Sequence, residues 1–184
     1  DLRARLTNFG MVVGLNAPLR EAVVADRSHF AGALGFEETN ENENGRAWHV
    51  TRVTPDFATF FSVAPALGRA FGDADAKPGA SDVIVLSETT WRSRYGGDTH
   101  IVGSTIRFGE KPYTVIGVMP RGFAFPDSST DAWLPYVETP AAREQAMQGN
   151  VGALDVVARR AASTSVDEAR AALEAILARD PTLA

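Results

Sequence analysis

The residue types that handle protons or metal ions are few in this chain and widely spaced. Its three histidines, His29, His49 and His100, form no H-x-H or H-x-x-x-H pair. No local spacing therefore sets two imidazoles on one strand or one helix face. The acidic run Glu37, Glu38, Glu41 and Glu43 has the density of a cation site, but it leads into Asn44-Gly45 and reads as the solvated tip of a hairpin. Asp73 and Asp75 in "GDADAKPGASD" open like a calcium loop. Lys77 and Pro78 then stand where an EF-hand loop needs an oxygen ligand and a glycine, so the match fails. Arg69, Arg92, Arg94 and Arg121 are the candidates for holding an anion, with solvated or ion-paired arginine as the expected state.

Whole classes of chemistry drop out on composition. With no cysteine, there is no disulfide framework, no thiol nucleophile and no thiolate zinc site. The sequence holds no G-x-x-x-x-G-K-[ST] loop, no G-x-G-x-x-G after a strand and no G-x-S-x-G elbow. A net charge of −5 with dispersed Lys and Arg argues against a nucleic-acid partner. Hydrophobic residues at 45% and charged ones at 22% describe a folded globular chain. No apolar run approaches the ~20 residues that cross a bilayer. The chain opens at Asp1 without an initiator Met, as expected of a processed protein or an excised domain. No catalytic, cofactor-binding or metal-ligating residue is assigned, no cofactor is expected, and the protein reads as a non-enzyme.

The elements that would position these residues are clearer than the chemistry. Met11 to Val13 reads as a strand feeding a helix capped by Asn16, with Pro18 in its first turn and Leu19, Ala22, Val23 and Phe30 on one face. Asn44-Gly45 predicts a hairpin in which Trp48, Val50 and Arg52 alternate with Ala47, His49 and Thr51. "TPDFATFF" predicts a short helix capped by Thr54, with Phe57, Phe60 and Phe61 as its apolar stripe. The Gly/Pro/Asp-rich stretch from Ala64 to Asp82 marks a candidate boundary.

"VIVLSETTWRSRYGG" reads as a buried strand, then a helix capped by Ser87 and closed by Gly96-Gly97. A hairpin turning at Gly109-Glu110 follows, returning along Tyr113 to Met119. Gly117 is expected to mark a bulge or a close backbone approach. Phe123 and Phe125 then read as a packed joint rather than a pocket. Beyond it lie a short extended piece at "DAWLPY", a polar helix within Thr139 to Asn150, and a strand in "ALDVVARR". The last element is a helix with Ser165 and Glu168 as capping box, a stripe of Val166, Ala169, Leu173, Ile176 and Leu177, and Pro181 as its stop.

The order of these segments carries a resemblance. "VTPDFATFFSVAPALGRAF" followed by "VIVLSETTWRSRYGGDTHIVGSTIRFGEKPYTVIGVMPRGFAFP" resembles the MacB-like periplasmic core domain, the extracytoplasmic domain of MacB/FtsX-type ABC transporter permeases. Three features carry it: the aromatic helix before Pro65, Gly68-Arg69 and Phe71; the Ser87–Trp91–Tyr95 helix before Ile101-Val102-Gly103; and the hairpin ending in Val115 to Pro120. The closing "ALDVVARRAASTSVDEARAALEAI" fits too, although its linker lacks a Pro-Gly pair and Gly109-Glu110 stands where Asn-Gly is usual.

The resemblance implies an α+β fold: a porter-like subdomain from residues 1–66 and 127–184, with a strand-rich, sabre-like subdomain inserted at 67–126. It implies a periplasmic, non-catalytic domain that passes ATP-driven motion to a substrate or partner protein. The implied partners are the permease's transmembrane helices, its cytoplasmic ATPase and a periplasmic protein or substrate, with a dimer admitted in the full transporter. The alternative is a stand-alone periplasmic module that binds a small molecule or peptide through Phe123, Phe125, Trp133 and Tyr136.

Overall fold

A computed structural model describes residues 12–14, 17–140, 144 and 154–179. The proposed caps and stops at Asn16 and Pro181, the strand residue Met11, and most of the polar helix after Thr139 lie outside them. The architecture is α+β, built as two compact units: residues 1–37 with 138–184, and residues 38–137. The cuts fall at 37/38 and 137/138, so both expected joints, 66/67 and 126/127, lie inside the second unit.

In the first unit β1 (Val12–Gly14), the opening half of β2 (Phe30–Glu43) and β9 (Asp155–Arg160) form an antiparallel sheet with β9 at its centre. Among the described residues two helices cover it, α1 (Ala17–Ala25) and α4 (Val166–Arg179). Leu19 and Val23 from α1 meet Ala169 and Leu173 from α4 over Phe30, Ala33, Val156 and Ala158. Burying such aliphatic side chains contributes about 1.5–3 kcal/mol each, before the entropy of ordering is subtracted.

Phe30 corrects an expectation here, because it does not extend the stripe of α1. The helix stops at Ala25, where the Asp26 carboxylate accepts the backbone N–H groups of Ser28 and His29 at 3.1 and 3.3 Å. That side-chain turn competes with helix continuation and releases Phe30 into β2. In α4 the capping box forms as read: Glu168 N–H donates to Ser165 Oγ at 3.2 Å, and Ser165 N–H to Glu168 Oε2 at 2.7 Å. Val166 is the exception in the stripe, with 51% of its surface exposed, because the buried face of α4 begins one turn later at Ala169.

The second unit contains β3 (Arg46–Val53), α2 (Phe57–Phe61), β4 (Leu67–Gly68), β5 (Val83–Leu86), α3 (Glu88–Tyr95), a 3-10 turn at Thr99–Ile101, β6 (Thr105–Phe108), β7 (Lys111–Val118) and β8 (Ala132–Pro135). The Asn44-Gly45 turn reverses the chain between β2 and β3 with positive φ of 52° and 84°. The sheet then runs β3, β8, β5, β7, β4, with β6 also on β7. The β3–β8 and β5–β7 pairs are parallel and the others antiparallel. β7 is the hub, bonded to three strands, and is buried from Val115 to Val118.

Both readings of Gly117 hold. Against β5 the register passes from Ile84↔Val115 to Val85↔Gly117, which leaves Ile116 as the extra residue of a bulge. Against β4, Gly117 faces Gly68, and neither position has room for a side chain. The cap of α2 differs from expectation: the helix begins at Phe57, after a turn in which the Thr54 hydroxyl donates to the Asp56 carboxylate at 2.7 Å. Thr54 thus closes the turn ahead of the helix, its carbonyl also accepting the Phe57 N–H at 3.1 Å, while the N-cap position falls on Asp56.

Candidate functional site

The loop holding Phe123 and Phe125 shows its role in its ring contacts. Phe123 stands edge-on to Phe57 (5.5 Å), Phe61 (5.4 Å) and Trp133 (5.4 Å), and Phe61 lies 4.8 Å from Phe125. These centroid distances are those of favourable aromatic pairs. The Trp133 indole N–H donates to the Phe125 carbonyl at 2.8 Å, so the one polar atom of that ring is satisfied in the interior. Phe57 and Trp133 are fully buried, Phe125 is 2% exposed and Phe123 is half-buried. Tyr136, the fourth ring of the pocket alternative, is half-buried, and its backbone N–H donates to the Val53 carbonyl at 2.7 Å. Phe57, Phe61, Phe123, Phe125 and Trp133 occupy one another, and the loop packs as a joint between α2 and β8.

The polar residues flagged in the sequence scatter. His29 Nδ1 sits 2.8 Å from Asp26 and His100 Nδ1 sits 3.0 Å from Asp98, each pair local in sequence, while His49 lies exposed on β3. Asp75 receives Arg69 in a two-pronged pair at 2.6 and 2.9 Å, together with the Gly72 N–H at 2.8 Å. The bond from Arg69 holds its carboxyl below the ordinary range, as expected when hydrogen bonds favour the charged form. Arg92 pairs with Glu88 one turn away, and Arg121 is exposed. Of the acidic run, Glu41 pairs with Arg52, and Glu43 accepts the Trp48 indole N–H at 3.2 Å. Among the described residues, no group of three or more His, Asp or Glu side chains could hold a metal ion.

Arg94 is different, and its surroundings were not legible in the sequence. Its guanidinium lies 4.2 Å over the Trp48 ring, donating from Nη2 to the Ala47 carbonyl at 3.0 Å and to Asp131 Oδ2 at 3.2 Å. Asp131 also accepts the His49 N–H at 3.0 Å and the Thr90 hydroxyl at 2.6 Å. One carboxylate thereby ties β3, α3 and the start of β8 together across sequence gaps of 37 to 82 residues. Nothing around Asp131 in the sequence announces this, because its partners are brought to it by the pairing of β8 with β3 on one side and β5 on the other.

Beside this hub a groove of about 360 Å³ is lined by Glu43, Asn44, Arg46, Arg94 and Tyr95. Two polar atoms there are buried and lack a hydrogen-bond partner: Arg94 Nη1 and Tyr95 Oη. Burial, with a smaller contribution from the Glu43 charge, pushes the Tyr95 hydroxyl up to about 12, so it stays protonated and able to donate. The hairpin turn supplies Asn44 and Arg46, and the last turn of α3 supplies Arg94 and Tyr95. The left-handed Gly96-Gly97 pair then ends the helix.

Known proteins resemble this chain as follows. A family model described as the MacB-like periplasmic core domain matches residues 6–176. No curated protein sequence matches the chain. Among solved structures, the periplasmic region of MacB from Actinobacillus actinomycetemcomitans aligns with a TM-score of 0.66 and 14% identity over 90% of this chain and 74% of that one. The extracellular domain of the noncanonic ABC-type transporter YknZ from Gram-positive bacteria gives 0.62 and 10% identity over 91% and 85%. A domain of a putative permease protein from Porphyromonas gingivalis gives 0.60 and 20% identity over 93% and 72%. At these identities the structural likeness is one of fold.

Proposed function

Because the chain belongs to the MacB-like periplasmic core domain family, and is thereby an extracytoplasmic domain of a MacB-like ABC transporter permease, we propose that it works by transmitting motion. In this reading, movement driven by ATP hydrolysis at the cytoplasmic ATPase reaches the domain through the permease's transmembrane helices. The domain hands it to a substrate or a periplasmic partner protein and performs no reaction of its own. The supporting observation is the construction of the second unit. Its bulged hub strand β7, bonded to three others, and its interlocked aromatic joint give it the close packing that transmission of strain calls for.

The inserted, sabre-like layout at 67–126 belongs to the same proposal. It is supported by the pairing of β4, β5 and β6 on β7, all within that segment. The alternative of a small-molecule or peptide module resting on Phe123, Phe125, Trp133 and Tyr136 has less support, because the first three of these rings are engaged inside the unit.

The test is a donor fluorophore at Ser93, exposed on α3, in the parent permease assembled with its ATPase in a bilayer carrying acceptor-labelled lipid. Energy transfer is expected to change between nucleotide-free and ATP-bound transporter. Unchanged transfer throughout ATP turnover that supports transport refutes the transmission reading.

A further inference from the structure

The groove beside Arg94 holds donors that the fold itself does not use. Arg94 is fixed from three sides, by the Trp48 ring beneath it and by the Ala47 carbonyl and Asp131 on its Nη2 edge. That clamp leaves Nη1 covered and unpaired, with Tyr95 Oη, also covered and unpaired, on the adjoining residue. A buried donor without a partner is rare in proteins and costs stability. Phenylalanine at position 95 would remove one of the two at no loss of packing. The arrangement is what a site shows before its ligand arrives.

The donor set selects the ligand. The Arg94 Nη1 group, a protonated phenol and the exposed Arg46 at the mouth offer N–H and O–H groups to an acceptor, and a carboxylate, with two oxygens, accepts from more than one of them at once. Charge on the walls limits how negative that acceptor is. Glu43 lines the groove and Asp131 already faces the other edge of Arg94, so two arginines are set against two carboxylates. A monoanion is tolerated there, whereas a phosphate dianion adds repulsion. The ligand enters past the exposed Asn44 and Arg46 to reach the two covered atoms.

We propose that this groove is a carboxylate-binding site, in which Arg94 Nη1 and Tyr95 Oη donate to a monoanionic carboxylate and Arg46 holds it at the mouth. The carboxylate belongs to a small organic acid or to an acidic peptide segment. The site stands whether or not the domain transmits motion.

The experiment is an NMR titration of the 184-residue chain, following the Trp48 indole N–H and the Arg94 side-chain N–H signals. The probes are acetate, a capped tetra-glutamate peptide and inorganic phosphate, at constant ionic strength. Saturable shifts of both signals with acetate, with the peptide or with both establish the site, and the pattern tells the free acid from the peptide source. Tyr95→Phe is expected to weaken binding about tenfold, the effect of one hydrogen bond to a charged group, while the unliganded variant melts no lower than the parent. Arg46→Gln is expected to weaken binding without changing the fold. The proposal is overturned if neither carboxylate probe gives saturable shifts, if phosphate binds as tightly as acetate and the peptide, or if Tyr95→Phe leaves affinity unchanged.

Discussion

Replacing Gly117 by alanine should loosen the second unit at its hub. A methyl group at this position would lie 3.0 Å from the Leu67 carbonyl oxygen and closer still to that of Arg69. Both are backbone atoms, so no side-chain rotation relieves the clash. The nearest relief is for β4 to move away from β7, which breaks the bonds from Ala66 N–H to the Val118 carbonyl and from Arg69 N–H to the Ile116 carbonyl, both 2.8 Å. At about 0.5–1.5 kcal/mol net per bond, their loss amounts to about 1–3 kcal/mol. Overpacking a filled interior costs a similar 1–3 kcal/mol or so by a separate route. We expect Gly117→Ala to be destabilised by about 2–3 kcal/mol, and its Tm to fall by about 4–12 °C for a chain of this size. Thermal and urea unfolding followed by circular dichroism measure this. Gly72→Ala is the control, because an added Cβ there meets nothing within 4 Å, and it should stay within about 0.5 kcal/mol of the parent. If Gly117→Ala unfolds together with Gly72→Ala, the close-approach argument is wrong.

Two further outcomes follow from the geometry. Trp133→Phe keeps the ring but removes the donor to the Phe125 carbonyl; an orphaned buried acceptor costs about 1–3 kcal/mol, and a urea midpoint equal to the parent's would show that water replaces the indole. Asp75, held below its usual range chiefly by the bond from Arg69, adds stability that is present above the unfolded carboxylate pKa and lost as pH falls through the lower folded one. Acidification from about pH 5 to pH 2.5, spanning ordinary carboxylate titration, should therefore destabilise the parent more than Asp75→Asn, and parallel urea-midpoint profiles would contradict this.

Much of this protein was decided locally and could be read residue by residue. Asn44-Gly45 turns the first hairpin because both residues accept positive φ. Ser87 and the Ser165–Glu168 box open their helices because short polar side chains reach the free N–H groups two or three residues on. Gly117 could be flagged because a glycine in an otherwise apolar strand has few structural reasons to be there. The order of such signals, over a stretch long enough to be specific, also carried the family.

The departures arose where a local competitor acted at short range. Asp26 turned the chain before α1 could reach Phe30, and the turn that Thr54 closes moved the N-cap position of α2 on to Asp56. What the sequence could not disclose is whatever depends on parallel pairing between distant strands. β3 lies beside β8, and β5 beside β7, through long connections that leave no mark on local periodicity. β8 lies between β3 and β5, and that placement carries Asp131 to Arg94 and sets Arg94 over Trp48, leaving two buried donors beside a groove. Turns and caps are fixed by hydrogen bonds within a few residues and are written locally. A polar site built from three strands' worth of separation exists only once the sheet has closed.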